Sequence, residues 1–216
     1  MPPPTLRKSP RQQRSRQTVE VVLEAAAHIL EAGGLARFNT NAVATRARVS
    51  VGSIYQYFLG KDAVMAGLIR RETARFAVAV DAVLAAAADA PRDDALTALV
   101  TLAVRQQTAR PNLARILDLE ERRLEIEGEV MAVAASGAHG LAAFLGARGV
   151  ADPGVVAQDL FNLARGMIDG ALDAEPSDLI RRVLRAVTGY LDAGPQPSKS
   201  NITTSSGGGL VPPALA

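Results

Sequence analysis

Apolar residues recur at spacings of three and four along most of this chain, which is the pattern of amphipathic α-helices. The first such segment begins at about Ser15 and ends at the glycine pair 33–34. Its apolar stripe consists of Val22, Ala26, Ile29 and Leu30, and Phe38 follows as a predicted core residue. Strand-type alternation of apolar and polar residues does not occur in a sustained run, so the pattern predicts an all-α fold.

A much longer helix is predicted to start at Gly60-Lys61-Asp62, to continue past Phe76 toward Ala88, and to be closed off by Pro91. Helices over residues 93–110 and 112–119 follow, separated by Pro111. The segment 120–145 is predicted as a longer helix with a kink near Gly137 or Gly140. The first long helix is therefore expected to join the N-terminal part of the chain to everything after it.

Two amphipathic helices complete the predicted fold. Asp152-Pro153 reads as an N-cap and first-turn pair that opens a helix to about Ala174, and Ser177 is the expected cap of the last helix. Both helices present more apolar surface than one small bundle covers, which favours pairing with a twofold copy. Their apolar stripes are Phe161, Ala164, Ile168 and Leu172, and then Ile180, Val183, Leu184, Val187 and Leu191.

A short stretch from Asn39 to Asp62 stands out because it contains two very short helices joined by a tight turn. Thr40 is the expected cap of the first helix and Ser50 that of the second, in which Ile54 and Phe58 face inward together. The intervening Arg48-Val49-Ser50 leaves room only for a turn, with Val49 as its buried plug. This is a helix-turn-helix, whose second helix is of a size to enter the DNA major groove.

The outward face of that second helix carries side chains suited to DNA. A glutamine can pair with adenine and a valine can touch a thymine methyl, while tyrosines and a lysine can bind phosphates. The alternative is that the tyrosines pack the small domain and the hydroxyls only cap helices. Taken together the set favours a DNA-contacting surface formed by Thr40, Ser50, Val51, Gly52, Ser53, Tyr55, Gln56, Tyr57 and Lys61.

The distribution of charge agrees with a polyanion partner at one end of the molecule. Residues 1–61 contain nine lysines and arginines against three glutamates, a net charge of +6, whereas the rest has fifteen basic and nineteen acidic residues, a net charge of −4. Arg7, Arg11, Arg14 and Arg16 would add sequence-independent, salt-sensitive attraction to DNA. A solvated tail is an equally good interpretation of the first 14 residues.

The same stretch resembles the tetracycline-repressor-type (TetR-like) family of transcriptional regulators. The resemblance rests on T-x-x-x-A at residues 40–44 and on VSVGSIYQYF followed by GKDAV at residues 49–64, and it extends over roughly residues 15–70. It implies an N-terminal three-helix DNA-binding domain joined to a C-terminal helical ligand-binding and dimerisation domain, with the last two helices forming the dimer. Two positions depart from the family pattern, Arg48 for a usual glycine and Leu59 for a usual proline. The implied operator contacts are Thr40, Ser50, Gly52, Ser53, Tyr55, Gln56, Tyr57 and Lys61.

The resulting prediction is a ligand-responsive repressor that binds a palindromic operator as a homodimer. Its helical body is expected to hold a mainly apolar cavity for a small-molecule effector. An acidic effector would suit Arg165, although a salt bridge to Asp169 is the simpler explanation. The candidate ligand residues are Leu99, Leu102, Gln106, Met131, Phe161, Asn162, Arg165 and Met167.

Two other classes compete with this prediction. A helix-turn-helix protein without an effector would have the same DNA-binding domain, and its other helices would pack together without a ligand cavity. A helical enzyme lacks support, because the chain has no cysteine, only His28 and His139 as isolated histidines, and no glycine-rich phosphate loop. The acidic sequence EERRLEIEGE (120–129) is interpreted as a solvated helix face, and neither a metal nor a cofactor is expected.

The expected organisation is a disordered basic arm (1–14), a helix-turn-helix domain (15–62), a regulatory and dimerisation domain (63–193) and a disordered tail (194–216). No apolar run follows the first charges, so a signal peptide is not expected. The longest apolar stretch, residues 76–88, is too short to cross a bilayer. A cytoplasmic protein without membrane contact is predicted.

Overall fold

The computed structural model describes residues 13–171 and 174–193, and within them the chain is entirely helical. The predicted arm and tail, with Arg7 and Arg11, lie outside the described residues, as do Leu172 and the side chain of Arg14. The helices are α1 (Gln13–Arg37), α2 (Thr40–Ala47), α3 (Val51–Tyr57), α4 (Lys61–Ala86), α5 (Arg92–Thr108), α6 (Pro111–Arg123), α7 (Glu127–Gly146), α8 (Pro153–Asp169) and α9 (Pro176–Asp192). The predicted all-α class is confirmed.

Helices α1, α2 and α3 form an N-terminal head around the first turns of α4. Ile54, Phe58, Val64 and Leu68 are fully buried there, next to Leu30 of α1. At Gly67 a Cβ would lie only 2.9 Å from the Phe58 ring. The residue is therefore glycine because α4 passes directly over this aromatic side chain.

Two glycines fix the edges of the head. Gly34 interrupts α1 with φ 63° and ψ −167°, and Gly60 precedes α4 with φ 156° and ψ −171°. Both conformations lie in regions that only glycine adopts without strain. The prediction that the glycine pair ends the first regular helix is confirmed.

A second apolar core fills the body between the end of α4 and helices α5, α7, α8 and α9. Residues of α6 and of the start of α7, among them Leu113 and Ile126, pack instead against the core of the head. The body therefore rests directly on the head. Where α4 turns into α5, Arg148 donates to the carbonyls of Ala88 and Ala90, each at 2.8 Å, and lies over the Phe144 ring.

The structure corrects several predicted boundaries and caps. Asn39, not Thr40, caps α2, its Oδ1 accepting from Ala42 N at 2.9 Å, and Glu175, not Ser177, caps α9. Asp152 precedes α8 but makes no side-chain capping bond. At α2 and α9 a residue slightly earlier in the sequence reaches the free N–H groups better, a choice that composition alone does not settle.

The segment 120–145 also differs from its prediction. Helix α6 continues to Arg123, the chain turns at Glu125 with φ 55°, and α7 then runs without a kink through Gly137 and Gly140. A Cβ at Gly140 would come within 3.0 Å of Leu84 on α4. These glycines therefore allow close packing of two helices rather than bending one.

Helix α7 is long and apolar enough to cross a bilayer by length and composition, so the longest apolar stretch is not residues 76–88. In the structure α7 packs lengthwise against α4 and α8. Leu141, Phe144 and Leu145 are buried in the body core. These contacts account for the apolar residues on its inner face, while about a third (35%) of the apolar window of α7 is buried in all.

Candidate DNA-binding surface and internal cavity

The turn between α2 and α3 is held in a left-handed conformation by a residue that is not glycine. Arg48 has φ 55° and ψ 41°, and the N–H of Val49 donates to Ala44 O at 3.1 Å. Such a conformation costs a non-glycine residue about 1 kcal/mol. The tight turn predicted at residues 48–50 is thus observed, and Arg46 and Arg48 are both exposed.

Helix α3 is fixed by its cap and by two buried side chains. Ser50 Oγ accepts from Ser53 N at 3.0 Å and lies 2.7 Å from Ser53 Oγ, so the predicted cap is confirmed. Ile54 and Phe58 are fully buried. The opposite face of α3 is therefore held outward as a rigid surface.

The predicted DNA-contacting residues lie together on or beside that surface. Ser50, Gly52, Tyr55, Gln56 and Lys61 are exposed, whereas Thr40, Val51, Ser53 and Tyr57 are half-buried. Tyr57 and Val51 also pack against the head core, so the packing interpretation holds for part of their surface. Arg46 and Arg48 border this face. Their charge is part of the predicted basic end of the chain, but neither residue is among the predicted DNA contacts.

The head is fastened to the body mainly through α6. Pro111 has no N–H to offer at the start of α6, and the next free group, Leu113 N, donates to Glu31 Oε2 of α1 at 2.7 Å. Arg110 donates to Glu24 Oε1 at 2.9 Å, and Arg123 donates to Asp62 Oδ1 at 2.7 Å. A shift of α6 would therefore move the head.

A charged cluster lies behind these contacts, between α1 and α4. Arg71 is buried and lies within 3.1 Å of oxygens of Glu20, Glu24 and Glu72. Burial opposes the ionisation of Glu24, but the hydrogen bond from Arg110 and the charges of Arg110 and Arg71 outweigh it. They hold the pKa of Glu24 below its ordinary value.

The body contains a cavity of about 440 Å³ between α4 and helices α5 to α8. Its wall includes four of the predicted ligand residues: Leu99, Gln106, Phe161 and Arg165. Apolar side chains such as Phe76 and Leu141 also line it. The cavity also touches Glu24 and Arg110, so its wall includes the contact between head and body.

The other four predicted ligand residues do not line this cavity. Leu102 borders a separate shallow depression on the surface of α5. Met131 is 40% exposed beside Arg165, and Asn162 is exposed and accepts a hydrogen bond from Gln158. Met167 packs against the body core.

Carboxylates outside the predicted set of ligand residues also line the cavity, Glu24 and Glu72 near the head and Asp118, Glu121 and Asp169 farther from it. The solvated-face interpretation of residues 120–129 is wrong for Glu120 and Glu121, which are only 6% and 7% exposed. Glu120 is paired with Arg123 at 2.7 Å. Helix α6 continues past Leu119 and packs on α1 and α4, and Arg165 of α8 reaches Glu121 near its end.

Burial raises the pKa of the Glu121 carboxyl above its ordinary value, with Arg165 opposing the change. Burial also raises the pKa of Asp118, helped by the negative charge of Asp169. Arg165 lies 3.4 Å from Asp169 and 3.7 Å from Glu121, so the predicted pair with Asp169 is present. The cavity is thus apolar along most of its wall and acidic at one end.

An exposed helix-turn-helix face, carried by a helical body with an internal cavity, defines a DNA-binding protein of the helix-turn-helix class. Residues 22–68 match the family described as bacterial regulatory proteins, tetR family. This match identifies residues 22–68 as a TetR-type helix-turn-helix domain, as the sequence predicted. Proteins of this family are regulators rather than enzymes.

Solved structures share the fold over most of the chain. A Mesorhizobium loti protein assigned to the TetR family of transcriptional regulators superposes with a TM-score of 0.70 at 18% identity, covering 84% of this chain and 98% of that one. A TetR-family transcriptional regulator from Streptomyces coelicolor gives a TM-score of 0.63 at 26% identity over 82% and 99%. SmeT in complex with triclosan gives 0.59 at 21% identity over 93% and 99%. Among curated proteins none has a significantly matching sequence.

Proposed function

We propose that this regulator is a ligand-responsive repressor that binds a palindromic operator as a homodimer. The observation that supports it best is the double role of α6, which lines the cavity and is also bonded to α1 of the head through Glu31 and Glu24. A ligand that displaces α6 would alter the position of the head. Since a ligand acts only through its different affinity for two states, the DNA-bound arrangement must be the one that it binds less well.

In this proposal α3 enters the major groove. Gln56 would pair with an adenine and Val51 would contact a thymine methyl. The phosphate contacts would come from Thr40, Ser50, Ser53, Tyr55, Tyr57 and Lys61. Gly52, which has no side chain, would allow the DNA backbone to approach α3 closely. We add Arg46 and Arg48 as phosphate contacts because both are exposed at the edge of this face.

The proposed dimer forms through α8 and α9. Val155 of α8 is 64% exposed and Tyr190 of α9 is 41% exposed, while Ile180, Leu184 and Leu191 are only partly covered within one chain. A second copy packed on these helices would remove that apolar surface from water. Two heads related by a twofold axis then require an operator with two inverted half-sites.

The effector is proposed to bind in the 440 Å³ cavity. Its volume and largely apolar wall suit a drug-sized molecule. SmeT, which has the same fold, has been solved in complex with triclosan. The functional boundary is proposed at residues 62/63. A cytoplasmic location follows from the role at DNA.

The decisive experiment selects binding sites from random duplex DNA with the full-length protein and then measures affinity by fluorescence anisotropy. An enriched inverted repeat, bound by a species of twice the chain mass in light scattering, is the expected result. A reporter behind that site should be silenced by the protein and restored by a cavity-binding compound. If no compound that binds the cavity changes operator affinity, the effector-free alternative is correct; reporter activation would contradict repression.

A further inference from the structure

The charged residues of the cavity fall into two groups, which differ in the balance of negative and positive charge. At the head end, Glu24 and Glu72 lie among Arg75 and Arg110, and each carboxylate is within 3.5 Å of a guanidinium nitrogen. At the far end, Asp118, Glu121 and Asp169 line the cavity together with Arg165, while Arg115 and Arg122 belong to the adjoining cleft. The excess negative charge of the cavity is therefore at its far end.

Of these far-end carboxylates, Glu121 is buried, Asp118 is half-buried and Asp169 is exposed. Glu121 has a side chain only 9% exposed, and its nearest cation, Arg165, is at 3.7 Å, beyond hydrogen-bond distance. Within the described chain Asp118 receives no hydrogen bond, and Asp169 receives long ones from Gln107 at 3.3 Å and Arg165 at 3.4 Å. A buried carboxylate that lacks close donors is unfavourable unless something else supplies positive charge.

The same residues lie where the cavity meets the surface. Asp118, Glu121, Arg165 and Asp169 also line a separate polar cleft of about 500 Å³, to which Arg115, Arg122 and Glu127 belong as well. A ligand entering from this cleft would pass the carboxylates first. Its apolar part could then continue toward Phe161, Leu99 and Phe76.

We propose that the effector is an amphipathic cation whose charged group binds Asp118, Glu121 and Asp169 and whose apolar or aromatic part fills the cavity. Burial raises the pKa of Asp118 and Glu121, so an incoming cation would favour their ionised forms. Arg165 then acts as an internal substitute that the ligand displaces. Phe76 and Phe161 could add contacts of an aromatic ring with the cation.

A cationic effector differs from the acidic effector that Arg165 alone would suit. The two predict opposite effects of one substitution at Arg165 on ligand affinity. Arg165→Met removes the cation that is paired with Glu121 and Asp169. A cationic ligand should then bind more tightly, whereas an anionic ligand would lose its partner and bind more weakly.

The test uses full-length protein and matched probes in titration calorimetry. Tetraphenylphosphonium and tetraphenylborate have nearly the same shape and opposite charge, and decyltrimethylammonium and decyl sulfate, below their micelle concentrations, repeat the comparison with flexible chains. We expect each cation to bind at least about tenfold more tightly than its anionic counterpart, a difference of about 1.4 kcal/mol. Glu121→Gln and Asp169→Asn should each weaken cation binding about tenfold, and Asp94→Asn, at an exposed carboxylate of α5, should not.

This inference rests on the proposed function. Failure of the proposed ligand class can nevertheless be distinguished from failure of the proposed regulatory function. Equal or stronger binding of both anions, no binding of any probe, or weaker cation binding by Arg165→Met overturns the ligand class. Operator release by an anionic compound would do the same while leaving the ligand-responsive regulator intact. Conversely, cation binding that never changes operator affinity would uphold the site and reject only its regulatory role.

Discussion

Glu24 of α1 and Arg110, the residue before α6, are joined by a hydrogen bond of 2.9 Å between Oε1 and Nη2. The two residues are separated by 86 positions in sequence and both also line the internal cavity. One contact thus belongs to the DNA-binding head, to the body and to the cavity wall. It offers a short physical connection between an occupied cavity and the orientation of α3.

Arg110→Met is expected to weaken that connection. The variant should still bind the operator, but release by a cavity ligand should fall by roughly fivefold or more, which corresponds to about 1 kcal/mol of coupling. Operator affinity measured with and without ligand gives this quantity directly. Arg105→Met, at an exposed arginine of α5, is the matched control; an unchanged ratio in Arg110→Met would exclude the contact from the coupling.

Gln56→Ala should reduce the base preference of the head without unfolding it, since this side chain is exposed on α3. A lost bidentate pair is worth about 1–3 kcal/mol of discrimination against the wrong base. Site selection with the variant should show relaxed preference at one position in each half-site. Gln158→Ala on α8 serves as control, and an identical selected profile for Gln56→Ala would remove this contact.

Arg71→Met should destabilise the folded protein because it leaves Glu20, Glu24 and Glu72 with less positive charge in a partly buried cluster. Arg75 remains nearby and the carboxylates are partly exposed, so we expect a loss of about 2 kcal/mol rather than the larger cost of a fully buried pair. Urea denaturation measures it. Arg181→Met, at an exposed helical pair with Asp178, should change stability by less than about 0.5 kcal/mol.

Gly60→Ala should cost about 1–3 kcal/mol because the residue has φ 156° and ψ −171°, where a side chain is strained even though open space surrounds it. The melting temperature should fall accordingly. Gly128→Ala, at a position inside α7 with no atom near the added methyl group, should be neutral or slightly stabilising. Equal effects of the two substitutions would contradict an origin in backbone conformation.

Glu121→Gln should stabilise the ligand-free protein at neutral pH. A carboxyl whose pKa is raised by folding contributes stability when protonated, and this contribution is lost as the pH rises through the folded-state pKa. The variant should therefore exceed the parent in melting temperature at pH 7, and the difference should shrink as the pH falls toward the ordinary glutamate range. A difference that grows on acidification would show that the ion pair with Arg165, not burial, dominates at this position.

The sequence by itself determined the parts of the molecule that depend on nearby residues. The periodicity of apolar positions gave the helical class, and Ser50, Ile54 and Phe58 defined α3, because a cap and its helix face lie within a few residues. The tight turn at residues 48–50 was also predictable, since the spacing between two short helices leaves room for little else. The charge of residues 1–61 pointed to the same end of the chain as the DNA-binding face.

Only the tertiary structure decided which side chains surround the cavity. Glu121 appears in sequence as one charge among many, but in the fold it lines the cavity and is buried, and its cation Arg165 comes from α8, some 40 residues later. Glu24 likewise lies on an unremarkable helical turn until Arg110 meets it. Burial and long-range pairing depend on how helices are arranged in space, and helical periodicity specifies which face of a helix is apolar without specifying which helix will cover it.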